Sequence, residues 1–471
     1  MHRFAAALFV PLVLLAAPSR LPAQEAGRPP ADLAEAVAVL ASAPSVDGSS
    51  VGYAGVETPA WGAYLHLRDH APAEELTRLL GHERPVVRVY ALQALVDRHP
   101  EVDLLPLLLG RLDDRAPVET MDGCIHSTSS VADEAFGLIA GRLSSPARER
   151  VLEVLLAQRP PIASLGSALE EWEMPERFLA AVRTLAKSGA PAAPAALTAL
   201  ARFRRPEDVP LISGRLVDAT WYALRAIRRF PHADFLPLLR AMHPALLAET
   251  HHSTTQREFY AAAAGFGAAA LDLLSAPFDP QREVPMRSYQ LDRVFEALAD
   301  KEDPAFVPLL FRLWEERGKT DARVFDRLWA ADRDRALGLL EKLLDHQVNL
   351  IDVDSLRVLL ARWNDARGAA GLDVLNHALA RADVQHFPAV ADEAARLRSE
   401  GALEVLLRRF DIEDNPCIYL AAAKAVLAYG RPELKTRLRE LGADRRKQAA
   451  DWGAKELEAL LAPSPEDPGK K

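Results

Sequence analysis

Between Trp61 and Leu461 the apolar positions repeat as helix, short break, helix. They recur at three- and four-residue spacing, the period of one helix face. Period-two alternation, the mark of a half-buried strand, is nearly absent, so the pattern predicts an all-α fold. Ahead of this body, Asp32 to Ala41 predicts one short helix with Asp32 as its N-cap. Ser42 to Pro59 carries Gly48, Gly52, Gly55 and Pro59 among several serines and reads as loop. Residues 24–60 are thus expected to be a flexible lead-in with one short helix, 61–461 the helical body, and 462–471 a solvated, disordered tail.

The body contains an internal repeat. Ala91-Leu92-Gln93-Ala94-Leu95 is followed by Asp103-Leu104-Leu105-Pro106-Leu107-Leu108. Ala196-Leu197-Thr198-Ala199-Leu200 is followed by Asp208-Val209-Pro210-Leu211-Ile212, and Ala223-Leu224-Arg225-Ala226-Ile227 by Asp234-Phe235-Leu236-Pro237-Leu238-Leu239. A weaker copy joins Val294-Phe295-Glu296-Ala297-Leu298 to Asp303 and Val307-Pro308-Leu309-Leu310. The proline lies eleven residues past the last apolar residue of the first block in one copy, and ten past it in three.

Alternating small and large apolar residues on one face let a neighbouring helix approach closely. The aspartate then caps the next helix, whose positive end its carboxylate suits. A proline in the first turn sacrifices no helical hydrogen bond. Pro308 stands five residues after Asp303, so the helix there starts later or kinks. Leu95, Leu200 and Ile227 fall at equivalent, buried positions in this alignment. Weaker pairs follow at 323–329 with 333–344, 356–363 with 369–380, and 417–429 with 434–441. At a period of 30–45 residues, about ten antiparallel helix pairs fit.

His82-Glu83-Arg84-Pro85-Val86-Val87-Arg88-Val89-Tyr90-Ala91-Leu92-Gln93-Ala94-Leu95 resembles the second helix of a HEAT-like repeat, of the short-repeat kind found in bacterial HEAT proteins and bilin lyases. The resemblance is specific over residues 76–112 and looser over 190–310. It implies a right-handed α-solenoid. His82 stands where that family has an acidic residue, and Ala193, Thr220 and Leu291 replace the family arginine matched by Arg88. That puts a regular Asp/Arg ladder in doubt.

Composition adds a compartment. His2 and Arg3, the apolar run Phe4 to Ala17 and the small residue at Ala23 read as a secretory signal peptide over residues 1–23. The run is shorter than the roughly 20 residues that span a bilayer. Its removal takes away Arg3 and Arg20 and no acid, so the net charge falls from −9 to −11. An acidic exported chain is a poor partner for nucleic acid or anionic lipid. The expected location is periplasmic or secreted, without membrane insertion after cleavage. Two cysteines, Cys124 and Cys417, make no disulfide framework and read as buried thiols.

Leu112 to Ala132 is the longest non-helical break, holding Asp113, Asp114, Glu119, Asp122, Cys124 and His126. Asp122-x-Cys124-x-His126 brings zinc-type ligands close in sequence, but at a spacing that matches no established closed site. Ser130 to Asp133 reads as a capping box closing an ordered acidic loop. A second loop with His251 and His252 echoes it, and Thr255 to Glu258 reads as another capping box. Gly265-x-Gly267-x-x-Ala270 matches a dinucleotide pattern yet follows a helix where that fingerprint needs a strand. Arg202, Arg204, Arg205, Arg225, Arg228 and Arg229 gather near two helix ends, either as solvated caps or as a basic stripe for an acidic partner. His-Glu-x-x-His, P-loop and Cys-x-x-Cys motifs are absent from the sequence.

The sequence thus assigns no catalytic residue, metal ligand or cofactor. The leading expectation is a scaffold that binds a protein partner, with Asp113, Asp114, Asp122, Cys124, His126, His251 and His252 in candidate recognition loops. A metal-dependent binder or enzyme using the 113–130 loop is the alternative. A bilin-binding role follows from the resemblance alone, and the export signal argues against it.

Overall fold

Helices fill most of the chain, as the three- and four-residue spacing predicts. The computed structural model describes residues 30–52, 55–346, 348–443 and 452–462. The signal segment expected at 1–23, the start of the lead-in at 24–29 and the tail from 463 lie outside them. The chain divides into two compact units, Met1–Phe203 and Arg204–Lys471.

In the first unit the helices are α1 (Leu33–Ser42), α2 (Pro59–His70), α3 (Ala73–Leu79), α4 (Pro85–Arg98), α5 (Leu104–Leu109), α6 (Val131–Ile139), α7 (Ser145–Ala157), α8 (Leu165–Glu171), α9 (Leu179–Lys187) and α10 (Ala193–Leu200). Alternate helices pack on one another: α2 on α4, α4 on α6, and α8 on α10. The central helix α4 is covered on nearly every side, with Val87, Tyr90, Ala91, Leu92, Ala94 and Leu95 all fully buried. Asp103 caps α5 as expected, its carboxylate accepting from the Leu105 amide at 3.1 Å. Asp32 caps α1 in the same way, through the Glu35 amide at 2.9 Å.

The second unit runs α11 (Val209–Gly214), α12 (Thr220–Arg229), α13 (Leu236–Leu247), α14 (Thr254–Ala264), α15 (Leu271–Ser275), α16 (Arg287–Leu298), α17 (Val307–Arg317), α18 (Ala322–Ala331) and α19 (Arg333–His346). It continues with α20 (Val353–Arg367), α21 (Leu372–Arg381), α22 (Phe387–Leu397), α23 (Glu400–Ile412), α24 (Pro416–Leu427), α25 (Pro432–Leu441) and α26 (Trp452–Leu461). Here too alternate helices stack, α12 on α14 on α16, α19 on α21 on α23, and α22 on α24 on α26. Ile227 and Leu298 are fully buried, as Leu95 and Leu200 are in the first unit. The late start foreseen at Pro308 is resolved by a 3-10 turn, Pro304–Phe306, which Asp303 caps through the Ala305 amide at 2.9 Å. At the third copy the accepting group is the His232 ring rather than the expected Asp234 carboxylate.

A recurrent side-chain link joins helices within each unit. Arg111 donates to the Leu80 carbonyl at 2.8 Å at the end of α3, and Arg142 to Val96 at 2.6 Å in the last turn of α4. Arg202 donates to Glu170 and Trp172 at the end of α8. Arg327 reaches Ala299 at 2.7 Å just beyond α16, and Arg409 reaches Ala380 in the last turn of α21 at 2.7 Å and Ala382 just past it at 3.0 Å. The final carbonyls of a helix have no partner within it and carry its negative end, so a guanidinium is a fitting cap. Burial pushes the pKa of the Arg327 and Arg409 guanidinium groups down. Arg409 also lies over the Phe387 ring at 4.8 Å.

The exception to the all-helical expectation is a three-stranded sheet in the first unit. Its strands are β1 (Ser45–Val51), β2 (Pro117–Gly123) and β3 (Ile125–Ser130), in the order β1-β2-β3. β1 runs parallel to β2, and β2 and β3 form an antiparallel hairpin. Both the 42–59 loop and the 112–132 loop foreseen from sequence are therefore partly strand.

Candidate functional site: the acidic hairpin of the first unit

The register of the hairpin runs from Pro117 opposite Ser130 to Asp122 opposite Ile125, leaving Gly123 and Cys124 as a two-residue turn. Gly123 has φ +56°, the left-handed conformation that such a turn needs at its first central position. β1 aligns Ser45, Val46 and Asp47 with Glu119, Thr120 and Met121.

The base of the hairpin is tied to helices. Asp114 pairs with Arg88 of α4 at 2.9 Å, and its carboxylate also accepts from the Ala116 amide at 3.3 Å. Arg88 in turn donates to the His82 carbonyl at 2.6 Å. The Asp113 carboxylate accepts from Gln158 at 3.0 Å. Both aspartates, expected to be recognition residues, are engaged in holding the base. Tyr90 of α4 secures β1: its hydroxyl accepts from the Asp47 amide at 2.7 Å and donates to the Asp47 carbonyl at 3.2 Å. Burial drives the Tyr90 hydroxyl pKa upward, so it remains a neutral donor. Val118 is buried beneath the sheet. Ser130 ends β3 by capping α6, accepting from the Asp133 amide at 3.1 Å and donating to the Asp133 carboxylate at 2.6 Å.

Beyond this base the hairpin is polar and open. Strand alternation sorts its side chains onto two faces. One carries Thr120, Asp122, Ile125 and Ser127, the other Glu119, Met121, His126 and Thr128. On the first, Thr120 and Ser127 share a hydrogen bond of 2.7 Å, and Asp122 lies against β1, its Oδ1 2.6 Å from where a Cβ on Gly48 would stand. On the second, the Thr128 hydroxyl donates to Glu119 at 3.0 Å, and His126 Nε2 stands 3.4 Å from the same carboxylate. Asp122 and His126 thus project from opposite faces, which keeps them from one coordination sphere. Among the described residues, no group of three His, Cys, Asp or Glu side chains is arranged to hold a metal ion.

No known family model matches this chain, and no curated protein matches it.

Several sequence expectations find a structural use. His251 and His252 are exposed and belong to the second unit. The His252 ring packs edge-on against Tyr289 at 4.2 Å. The second capping box does not form: Ser253, two residues before the expected Thr255, caps α14 through the Thr255 amide at 3.1 Å, and the Gln256 side-chain amide donates to the Leu246 carbonyl. Glu258 is instead buried, 3.7 Å from Arg228. Gly267 opens a 3-10 turn after α14 with no strand before it. Of the arginine group, Arg202 caps α8 and Arg225 stacks on Trp221 at 4.7 Å. Cys124 and Cys417 are unpaired and both exposed, against the expectation of buried thiols.

Sequence reasoning missed the exposed apolar residues beside the turn. Ile125 is 72% exposed and Val56 54%. Val56 bridges to Val51, which aligns with Gly123, so both lie at the turn end of the sheet. An exposed isoleucine in a serine- and threonine-rich strand was the available signal.

Proposed function

We propose that this chain is an exported, HEAT-like helical-repeat scaffold whose hairpin at 117–130 recognises another protein. One observation carries the reading: the hairpin is anchored firmly at its base yet exposes the outer edge of β3, with Ile125 at its tip. A loop held in place by Asp113, Asp114 and Tyr90 but contributing little to the core suits recognition more than stability. The alternate stacking of helices in each unit supports the solenoid arrangement that the resemblance implies. Among the described residues no helix is long and apolar enough to cross a membrane. The excess of acidic residues disfavours nucleic acid as the partner. In this reading the scaffold is not an enzyme.

A photo-cross-linker placed at Ile125 of the full chain, in the cells that make it, is expected to give discrete protein adducts. Asp122→Ala with His126→Ala should reduce them at a nearly unchanged melting temperature. Absence of adducts at Ile125, while a probe at the exposed Val217 gives them, would remove the hairpin from the reading. The export half has its own check. The mature chain is expected to begin at or near Gln24, and intact mass of exported protein retaining Met1 to Phe9 would refute it.

A further inference from the structure

We propose that the outer edge of β3 accepts an extended, lysine- or arginine-bearing segment of the partner protein as a fourth strand. This rests on the recognition reading above and names the chemistry of its partner.

The ladder fixes which backbone groups are on offer. The Val131 amide donates to the Ala116 carbonyl at 3.1 Å, so residues 116 and 131 form a hydrogen-bonded pair at the base of the hairpin. Hydrogen-bonded and non-hydrogen-bonded pairs alternate along an antiparallel ladder. In the register observed, 118 with 129, 120 with 127 and 122 with 125 exchange bonds across the hairpin. His126 and Thr128 then direct both N–H and C=O away from β2. Among the described residues no strand pairs with that edge.

Edge strands that must remain single are blunted by lysine, proline or a bulge. β3 has none of these: its register with β2 is unbroken, and Ile125-His126-Ser127-Thr128-Ser129-Ser130 contains no lysine, arginine or proline. An incoming strand would gain main-chain hydrogen bonds from the edge and specificity from alternate side chains.

Charge selects the partner. Residues 117–130 include Glu119 and Asp122 and no lysine or arginine. Glu119 stands on β2, one strand in from the outer edge and on the same face as Thr128, so a long cationic side chain of an added strand can lie across Thr128 towards it, while Asp122, on the other face and against β1, adds to the negative charge of the hairpin. Asp122 makes no ion pair among the described residues, and Glu119 has only His126 as a basic neighbour, at 3.4 Å. The same charge weighs against a second copy of this chain, because pairing β3 with β3 would bring two acidic hairpins together. Ile125 and Val56 at the turn end offer apolar surface to a valine or leucine of the same segment.

The test uses the mature full-length chain and a blocked octapeptide, acetyl-Lys-Val-Lys-Thr-Lys-Val-Lys-Thr-amide, with its glutamate counterpart as control. At low salt the lysine peptide is expected to bind, to slow hydrogen exchange at the His126 and Thr128 amides, and to weaken as salt rises. Thr128→Pro deletes an outward N–H while sparing the hairpin ladder, since proline is tolerated where an edge strand faces solvent. It should weaken binding at least tenfold, and Thr128→Val should leave it within about twofold. Glu119→Gln with Asp122→Asn should also cost at least tenfold. Equal binding of the glutamate peptide, binding by Thr128→Pro within twofold of wild type, or self-association through β3 would overturn strand addition. If Thr128→Pro melts the hairpin, exchange protection in the wild-type chain still decides. Adducts at Ile125 that survive Thr128→Pro would defeat strand addition and leave recognition standing. Their absence from the wild-type chain would defeat recognition itself.

Discussion

Truncating Leu95 or Leu200 in the first unit, or Ile227 in the second, to alanine is expected to lower the unfolding free energy by roughly 2–5 kcal/mol each, the usual cost of a buried large-to-small change. All three side chains are fully buried. Each occupies the same place in the aligned repeat, with alanines four residues before and one residue before it. Those alanines bring the neighbouring helix close, so the vacated space is lined by backbone and small side chains that have little freedom to fill it. Urea unfolding at neutral pH measures the loss. Losses below about 0.5 kcal/mol at all three sites would show that the repeat register is wrong.

A second large effect is expected from acid. His243, in α13, is buried, its ring stacked on Phe259 at 5.2 Å and set against the edge of Tyr260 at 6.2 Å. Its Nε2 has no hydrogen-bond partner among the described residues. Burial, with Arg282 nearby adding to it and Asp272 opposing it, lowers the imidazole pKa from 6.5 to about 4. Folding therefore favours the neutral ring. The stabilisation is fully present above pH 6.5 and is lost as the pH falls through that window towards 4. At about 1.4 kcal/mol per pKa unit, the loss approaches roughly 3 kcal/mol. Carboxylates titrate in the same range, so the measurement is the difference between wild type and His243→Phe. That difference should change with pH by roughly 3 kcal/mol between pH 7 and pH 4. A flat difference would mean that the ring is charged in the folded state or reaches solvent.

The helices were legible because each buries a wide apolar stripe whose period survives in the sequence. The alanine–leucine blocks and the caps at Asp103 and Asp303 could be read directly. The sheet was not legible for the converse reason. In β2 and β3 it buries Val118 alone, and the buried positions of β1 are Ser45 and Asp47, polar residues whose alternation leaves no hydrophobic pattern in the sequence. Its parallel partner is also remote: Ser45 aligns with Glu119. No local pattern announces a pairing held by the Tyr90 hydroxyl and a few main-chain bonds. At the site, the sequence singled out the right segment but not its internal division. Asp113 and Asp114 look like Asp122 in one dimension, yet the first two bond to Gln158 and Arg88 at the base while the third lies against β1 near the turn. Placing Asp122 and His126 on opposite faces required knowing that the segment is a strand.

The arginines that end neighbouring helices have a bearing on how this chain can vary. An ion-pair ladder needs two compatible side chains, and a change at either breaks the rung. Here the acceptor is a backbone carbonyl, which every residue supplies. Only the arginine of each link has to be inherited, and the helix end it grips is free to change its side chains. Arg202, Arg327 and Arg409 grip carbonyls 26 to 32 residues earlier in the chain, about one helix pair back. Successive pairs can therefore diverge in composition while their spacing stays pinned. An array built this way keeps its geometry long after its repeats have ceased to look alike.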